Sequence, residues 1–506
     1  MENIRACNDI NRYPFLIGVT GHRNIASCDV PALCAFIDEQ FKAIKLACED
    51  TPVAVMTCLA EGADQMCAEI ALANDMPIIS ILPLEKSDLE KDFEGDALMK
   101  FNELYEQSAK SFVTLDMEGK DSEDRDYWYR QAGIYIAERC QLLLALWDGQ
   151  EDTTGCGTAA IIDYSSHEWA HNSRGFAYNP MIEWVHIRRT KNTADGAEPN
   201  EVISENIGIH QENAIEYAKA YADRVSELNA CDGKSNDIAN QLAVDYREKG
   251  KNSNRVTVGI SIATVLFFML YDVFNVTPAL FVTLLCMAIT AVLKHNAKKG
   301  DYLGKQIGYR LLAETNRVHE FTAGLRKPYC ACDFYSYFIK DSYGWVEQAA
   351  RAHLVSNDGD KFLDEDAVRD NWCKGQYIYH SSVQKRDLPQ LRRQQAGTKL
   401  AMRITVVVYI TLAVIELTTG SATILIKALK VLMAVGSAVS LFVSDYYERQ
   451  ALDHKCQDSA KMSELYRKAY EEWCLRDETG ESKDSLVEML ARAEIEENGI
   501  WASYQR

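Results

Sequence analysis

Residues 256–293 read VTVGISIATVLFFMLYDVFNVTPALFVTLLCMAITAVL, and Asp272 is the single formal charge among these 38 positions. It divides them into uncharged runs of 16 residues (256–271) and 21 residues (273–293). As α-helices, at about 1.5 Å per residue, the runs measure roughly 24 and 31 Å, against a bilayer core of about 30 Å. Arg255 precedes the pair, and Lys294, His295, Lys298 and Lys299 follow it. Cations at both ends, with Asp272, Asn275 and Pro278 between the runs, predict a transmembrane hairpin whose two ends are cytoplasmic. The competing reading is a helical pair buried in a soluble core, which the short first run and Gly259 leave open.

Most of the remaining chain is polar. The mean hydropathy is −0.23 over 506 residues, so membrane segments are a minority of the mass. A net charge of −20 gives a nucleic-acid partner no global electrostatic support. The N-terminal residues MENIRACNDINRYP lack the apolar centre of a signal peptide. Fifteen cysteines are dispersed, with one C-x-C at Cys330 and Cys332 and no four-ligand zinc spacing. That usage fits reduced thiols in the cytoplasm.

Over the first 195 residues, strand and helix signals alternate. Apolar runs at 15–20, 52–57, 77–82, 111–115, 141–147 and 181–187 read as buried strands, with helices at about 31–49, through Leu72 and at 129–139. Continuous apolar strands separated by helices predict an α/β fold with a doubly wound, parallel, Rossmann-like sheet. Ligands of such sheets bind beyond the carboxyl ends of the strands. Three loops fall there. Gly18-Val19-Thr20-Gly21-His22-Arg23 offers glycines for close backbone approach and a guanidinium for a phosphate. Leu59-Ala60-Glu61-Gly62-Ala63-Asp64 opens a helix, and its two carboxylates suit ribose hydroxyls better than a bare phosphate. Trp147-Asp148-Gly149 leads into Thr154-Gly155-Cys156-Gly157-Thr158, again at a helix start. Each loop alone is explained by a tight strand–helix turn; the three together predict a nucleotide pocket.

GVTGHR (18–23), LAEGAD (59–64) and TGCGT (154–158) give residues 13–192 a resemblance to the SLOG superfamily, the Rossmann-like group that includes the LOG nucleotide hydrolases and the DprA proteins. The resemblance implies that Gly18, Thr20, Gly21, His22, Arg23, Glu61, Gly62, Asp64, Asp148, Gly149, Gly155, Gly157 and Thr158 line a nucleotide site. The LOG catalytic loop, PGGxGTxxE, is not intact, since Ile161 stands where its glutamate would be. A sensor that binds without turnover fits better than a hydrolase, and no catalytic residue or resident cofactor is expected. A separate motif, His167-Glu168-Trp169-Ala170-His171, matches the H-E-x-x-H of zinc hydrolases. The surrounding α/β order is not that of a metalloprotease, so zinc there is the weaker reading.

Residues 191–200 read as a linker, and 206–229 as a helix with Ile209, Ala214, Tyr217, Ala218, Tyr221 and Val225 on one stripe. A second apolar pair, at about 401–418 and 424–444, follows a basic approach from Lys385 to Arg403 and turns near Gly420. Long amphipathic helices follow both pairs, at 302–325 and 446–473. The expected organisation is therefore a domain at 1–195 and two helix–hairpin–helix units at 206–330 and 331–506. Small hydroxyls along the spans (Thr257, Ser261, Thr264, Thr283, Thr290, Thr405, Thr411, Ser437, Ser440) either form a polar face or pack helices together.

The stretch Trp372-Cys373-Lys374-Gly375-Gln376-Tyr377-Ile378-Tyr379 and the hydropathy profile of 206–480 resemble the SLATT family of two-transmembrane effectors. The two resemblances together imply a multi-pass inner-membrane protein with cytoplasmic termini. It would bind a nucleotide messenger made by a partner synthase, act as a homo-oligomer on the lipid bilayer, and permeabilise it in antiphage defence. A membrane-tethered hydrolase of an N-glycosidic bond, with Glu61 or Asp64 as the acid, is the alternative.

Overall fold

The computed structural model describes residues 13–114, 124–151, 155–166, 178–208, 210, 212–231, 233–322, 330–357, 365–419, 424–448 and 452–504. The chain forms two compact units. One comprises Met1–Ala239, Leu312–Leu363 and Val487–Glu496; the other comprises Asn240–Leu311, Asp364–Leu486 and Glu497–Arg506.

The first unit is built on a seven-stranded sheet. Its strands are β1 (Phe15–Gly21), β2 (Val53–Thr57), β3 (Ile78–Leu82), β4 (Lys110–Val113), β5 (Leu142–Trp147), β6 (Met181–His186) and β7 (Ser204–Ile207), in spatial order 4-3-2-1-5-6-7. β1 to β6 are parallel. They alternate with helices α1 (Val30–Ala47), α2 (Ala63–Ala73), α3 (Gly95–Glu106), α4 (Arg125–Ala137) and α5 (Thr158–Ser166). β2 and β3 are buried at every position because helices cover both faces, which is why the sequence shows continuous apolar runs. α1 starts with proline in its first turn and buries Leu33, Ile37, Phe41 and Ile44, one stripe at helical spacing.

One element departs from expectation. The helix expected over 206–229 starts later, at Ala214, and residues 204–207 pair antiparallel with β6 as an edge strand, while Ile209 of the expected stripe lies outside the described residues. Ser-Glu-Asn-Ile carries no alternating apolar signal, so only the neighbouring strand defines it. The helix that follows, α6 (Ala214–Asn229), starts at the Asn213 cap, whose side chain accepts the Ile215 N–H at 2.8 Å. Its buried face carries the expected Tyr217, Ala218, Tyr221 and Val225, and Asn229 at its end is buried as well. The Asn229 side chain accepts the Tyr13 N–H and donates to the Tyr13 carbonyl and the Thr51 hydroxyl, fixing the chain as it enters β1. A helix from far along the chain, α10 (Gly344–Asn357), also joins this unit. Its Ala352 and Val355 sit in the same apolar cluster as Leu16, Met56, Ile79, Ile136 and Leu143.

Three helical stretches among the described residues are long and apolar enough to cross a membrane: Ser235–Phe274, Thr277–Thr322 and Glu365–Ile415. The first is helix α7. The second contains α8 (Thr277–Lys299) and α9 (Tyr302–Thr322), separated at Gly300 and Asp301. In the most apolar windows of the first two, 0% and 11% of residues are buried, which removes the soluble-core reading. Phe268, Phe281, Leu284, Leu285, Met287 and Val292 are all exposed. Covering a side chain of that size is worth roughly 1.5–3 kcal/mol, so this hairpin calls for a lipid solvent. The turn falls within the expected 272–278 stretch: Asp272 lies in the last turn of α7, and Asn275, in left-handed backbone (φ 53°), breaks the helix.

The expectation of two hairpins is not met in full. Helix α11 (Gly375–Thr419) contributes the third apolar stretch, while its intended partner, α12 (Ile424–Glu448), is helical but not among the three. The expected hydroxyl face is self-satisfied where the bonds are defined. Thr257, Ser261, Thr264, Thr283, Thr290 and Thr411 each donate to the carbonyl four residues back in their own helix.

Below the third stretch, α13 (Leu452–Thr479) runs antiparallel to α11. Ser381 meets Ser463, Asp387 accepts from Lys455, and the His380 ring stacks on Tyr466. Trp372, buried completely, lies in a π-helical turn (Val368–Lys374) that precedes α11, whereas Tyr377 and Tyr379 are exposed.

Candidate ligand site at the strand ends

The sheet order creates one topological switch point. From β1 the chain builds outward through β2, β3 and β4, then returns to β1's other side with β5. The helices after β1 and β5 therefore depart in opposite directions, and a crevice opens beyond the carboxyl ends of these two strands.

Hydrogen bonds close its floor. The His22 N–H continues the β1–β5 ladder to the Leu146 carbonyl (3.1 Å), and the His22 carbonyl accepts the Ala63 N–H of α2 (3.2 Å). Gly21 and Gly62 are required there by space. A Cβ on Gly21 would lie 2.4 Å from the Ala63 Cβ, and one on Gly62 would lie 2.2 Å from the Arg23 carbonyl oxygen. Gly62 also has φ +92°, a conformation that a residue with a Cβ adopts only under strain. Residues 21–23 and 61–64 thus adjoin one another at the strand ends.

Across the crevice, His22 Nε2 meets Asp148 Oδ1 at 2.8 Å. Asp148 Oδ1 also accepts the Gln150 N–H, an Asx-type turn that leaves Gly149 at φ +75°. Burial pushes the Asp148 carboxyl up. The His22 hydrogen bond, the Gln150 amide and the charge of Arg189 outweigh it and hold Asp148 below its ordinary range. Two buried polar atoms here lack hydrogen-bond partners: Asp148 Oδ2 and Arg189 Nε. Arg189 was not foreseen from the sequence. It stands just beyond β6 and is brought in by backbone pairing of Ile25 with Arg189 and of Thr190 with Asn24. Nothing in local sequence spacing signals that contact. An adjacent pair, Asp29 and Arg188, forms a two-pronged ion pair that holds the Asp29 carboxyl below its ordinary range.

Arg23 is exposed on the rim, its guanidinium 5.3 Å from the centre of the Tyr129 ring. The Tyr129 hydroxyl donates to Asp92, which also accepts from Arg125, so α4 presents a fixed ring to Arg23.

Asp64 differs from Asp148. It is buried in the first turn of α2 and accepts the Cys58 N–H (3.2 Å), the Ala60 N–H and the Thr57 hydroxyl. Burial outweighs these donors and raises the carboxyl to about 7. Its loop contains Leu59 at φ 55°, a strained conformation for a residue with a Cβ. Glu61, by contrast, is exposed.

The remaining expected residues occupy different settings. Gly18 lies within β1, where a Cβ would press on Ile136 and Cys140; its role in the fold is packing against α4. Thr20 is half-buried opposite Ala145. Gly155 has φ +72° with open space around its missing Cβ, and the Gly157 carbonyl and buried Thr158 begin α5. His167, Glu168 and His171 lie outside the described residues. The chain matches no protein-family model and no curated protein.

Proposed function

We propose that the chain is a membrane-embedded sensor whose α/β unit binds a nucleotide-derived ligand at the β1/β5 switch point. The observation that carries this reading is the pair of buried, unpartnered polar atoms there, Asp148 Oδ2 and Arg189 Nε. Buried polar groups without partners are rare, and a ligand hydroxyl between a carboxylate and a guanidinium would satisfy both. In this reading a ribose hydroxyl meets Asp148 and Arg189, and Arg23 takes a phosphate, with the adjoining base near Tyr129. The three apolar helices supply the output: ligand binding in an oligomer permeabilises the inner membrane, as the SLOG and SLATT resemblances imply. Such coupling requires that the ligand bind the two membrane states with different affinity.

The test uses the full chain in detergent and in dye-loaded liposomes, with ADP-ribose and cyclic di-AMP as probes. The expected result is a thermal shift and dye release without any product on chromatography. Arg23→Ala should weaken binding roughly 10-fold or more, the loss of a charge-assisted contact, while leaving the unliganded chain as stable as before. No shift with either probe would overturn the proposal.

Asp64 supports a second reading, a hydrolase of an N-glycosidic bond. A carboxyl held protonated near neutrality is suited to a general acid. Release of nicotinamide from NAD that is lost in Asp64→Asn would establish that reading in place of the first.

A further inference from the structure

Away from the strand-end crevice, His319, Cys330 and Cys332 converge within the same compact unit. One ring nitrogen and the two sulfurs all lie within 4.8 Å of one another, and all three residues are buried. The sequence separates them: His319 is in the last turn of α9, and the cysteines flank Ala331 at the start of a 3-10 turn (Ala331–Phe334). C-x-C with a histidine 11 residues upstream matches none of the usual four-ligand spacings, so the cluster emerges only in three dimensions.

We propose that His319, Cys330 and Cys332 hold a thiophilic metal ion, Zn²⁺ or Cu⁺, through one imidazole nitrogen and two thiolates. The separation of Cys330 Sγ from His319 Nε2 is 3.5 Å. Metal–sulfur and metal–nitrogen bonds of about 2.3 and 2.0–2.1 Å, at a tetrahedral angle, place sulfur and nitrogen about 3.5–3.6 Å apart. The pair therefore already stands at the spacing an ion would impose.

The imidazole nitrogens are placed differently. Nε2 accepts the Ala331 N–H at 2.8 Å, and Nδ1 is buried without a hydrogen-bond partner. An ion binding Nε2 would displace the Ala331 amide towards a thiolate, the usual acceptor of backbone N–H groups around metal-bound cysteine. The buried ring then gains a ligand bond that the protein alone does not supply.

The buried Arg351 guanidinium, held by Glu347, Asp333 and the Glu138 carbonyl, supplies a positive charge in the same unit. Among the described residues no fourth His, Cys, Asp or Glu joins the group. The intervening residues 323–329, AGLRKPY, contain none of these types. Three protein ligands suit zinc completed by a water or an external thiol, or three-coordinate copper(I). On binding, each thiol loses its proton to solvent and no electron is transferred.

The full chain, purified in detergent without added metal or chelator, should carry about one equivalent of zinc or copper by mass-spectrometric elemental analysis. Zinc would indicate the four-coordinate site and copper the three-coordinate one. Cys330→Ser and His319→Asn should each lower the content at least tenfold. Because these variants can fail to fold, the wild-type chain is also exchanged with Co²⁺, whose thiolate charge-transfer and tetrahedral d–d bands report the ligand set directly. A wild-type chain with no stoichiometric metal that takes up no cobalt overturns the proposal. A Cys330–Cys332 disulfide in the native protein, found by peptide mapping, overturns it equally.

Discussion

Asp64→Asn isolates the most perturbed carboxyl of the strand-end loops. In the fold Asp64 titrates near 7, against an ordinary value of 3.8. Between those values the folded chain keeps a proton that the unfolded chain has released. Stability is therefore fully present below pH 4, declines as pH rises, and levels off once pH passes the folded value. One pH unit in that window corresponds to about 1.36 kcal/mol, so pH 5 to 7 costs about 3 kcal/mol. Asparagine keeps a carbonyl for the Cys58 amide and has no charge to bury. Across pH 5 to 8 the wild-type unfolding midpoint should fall by roughly 6–12 °C relative to the variant, the shift such a loss produces in a domain of this size. Infrared difference spectra, wild type minus Asp64→Asn, give a direct reading: a protonated-carboxyl band titrating near pH 7. Parallel pH profiles for the two proteins, or identical carboxyl bands at pH 5, would refute the reasoning. The subtraction matters because Asp333, also raised by burial to about 6, titrates in the same window.

Further outcomes follow from the same contacts. Gly62→Ala places a Cβ against the Arg23 carbonyl at a backbone angle worth about 1–3 kcal/mol of strain, so hydrogen exchange should accelerate in residues 18–24 and 57–66. Asn229→Ala leaves the buried Tyr13 N–H without its acceptor; a destabilisation of roughly 1–3 kcal/mol, measured by thermal unfolding, is expected. Asn275→Val forces a β-branched residue into left-handed backbone between α7 and α8, and should reduce membrane insertion of the hairpin while Asn275→Gly does not, as read by protease protection.

Much of the sheet was legible because its strands are buried on both faces and so appear as unbroken apolar runs. β1 ends at Gly21 where 15–20 was expected, and β2, β3 and β5 fall within a residue of their apolar runs. β7 was illegible for the opposite reason: as an edge strand its signal is the partner β6, not its own residues. In the candidate site, 21–23, 61–64 and 148–149 were legible as loop chemistry at strand ends. The His22–Asp148 bond and the contribution of Arg189 were not, since each joins residues more than 120 positions apart or arrives through backbone pairing.

The sequence by itself determined the polar–apolar division of the chain, the parallel sheet and the first hairpin, because hydrophobic runs of strand and bilayer length depend on composition alone. Only the tertiary structure decided which carboxyl is charged. Asp64 and Asp148 are the same residue at comparable loops, yet burial raises one to about 7 while His22 and Arg189 hold the other low. It alone also gathered His319, Cys330 and Cys332, and brought α10 onto the sheet. Spacing along a chain fixes what a segment can be; charge and ligand geometry depend on which distant segments come to stand beside it.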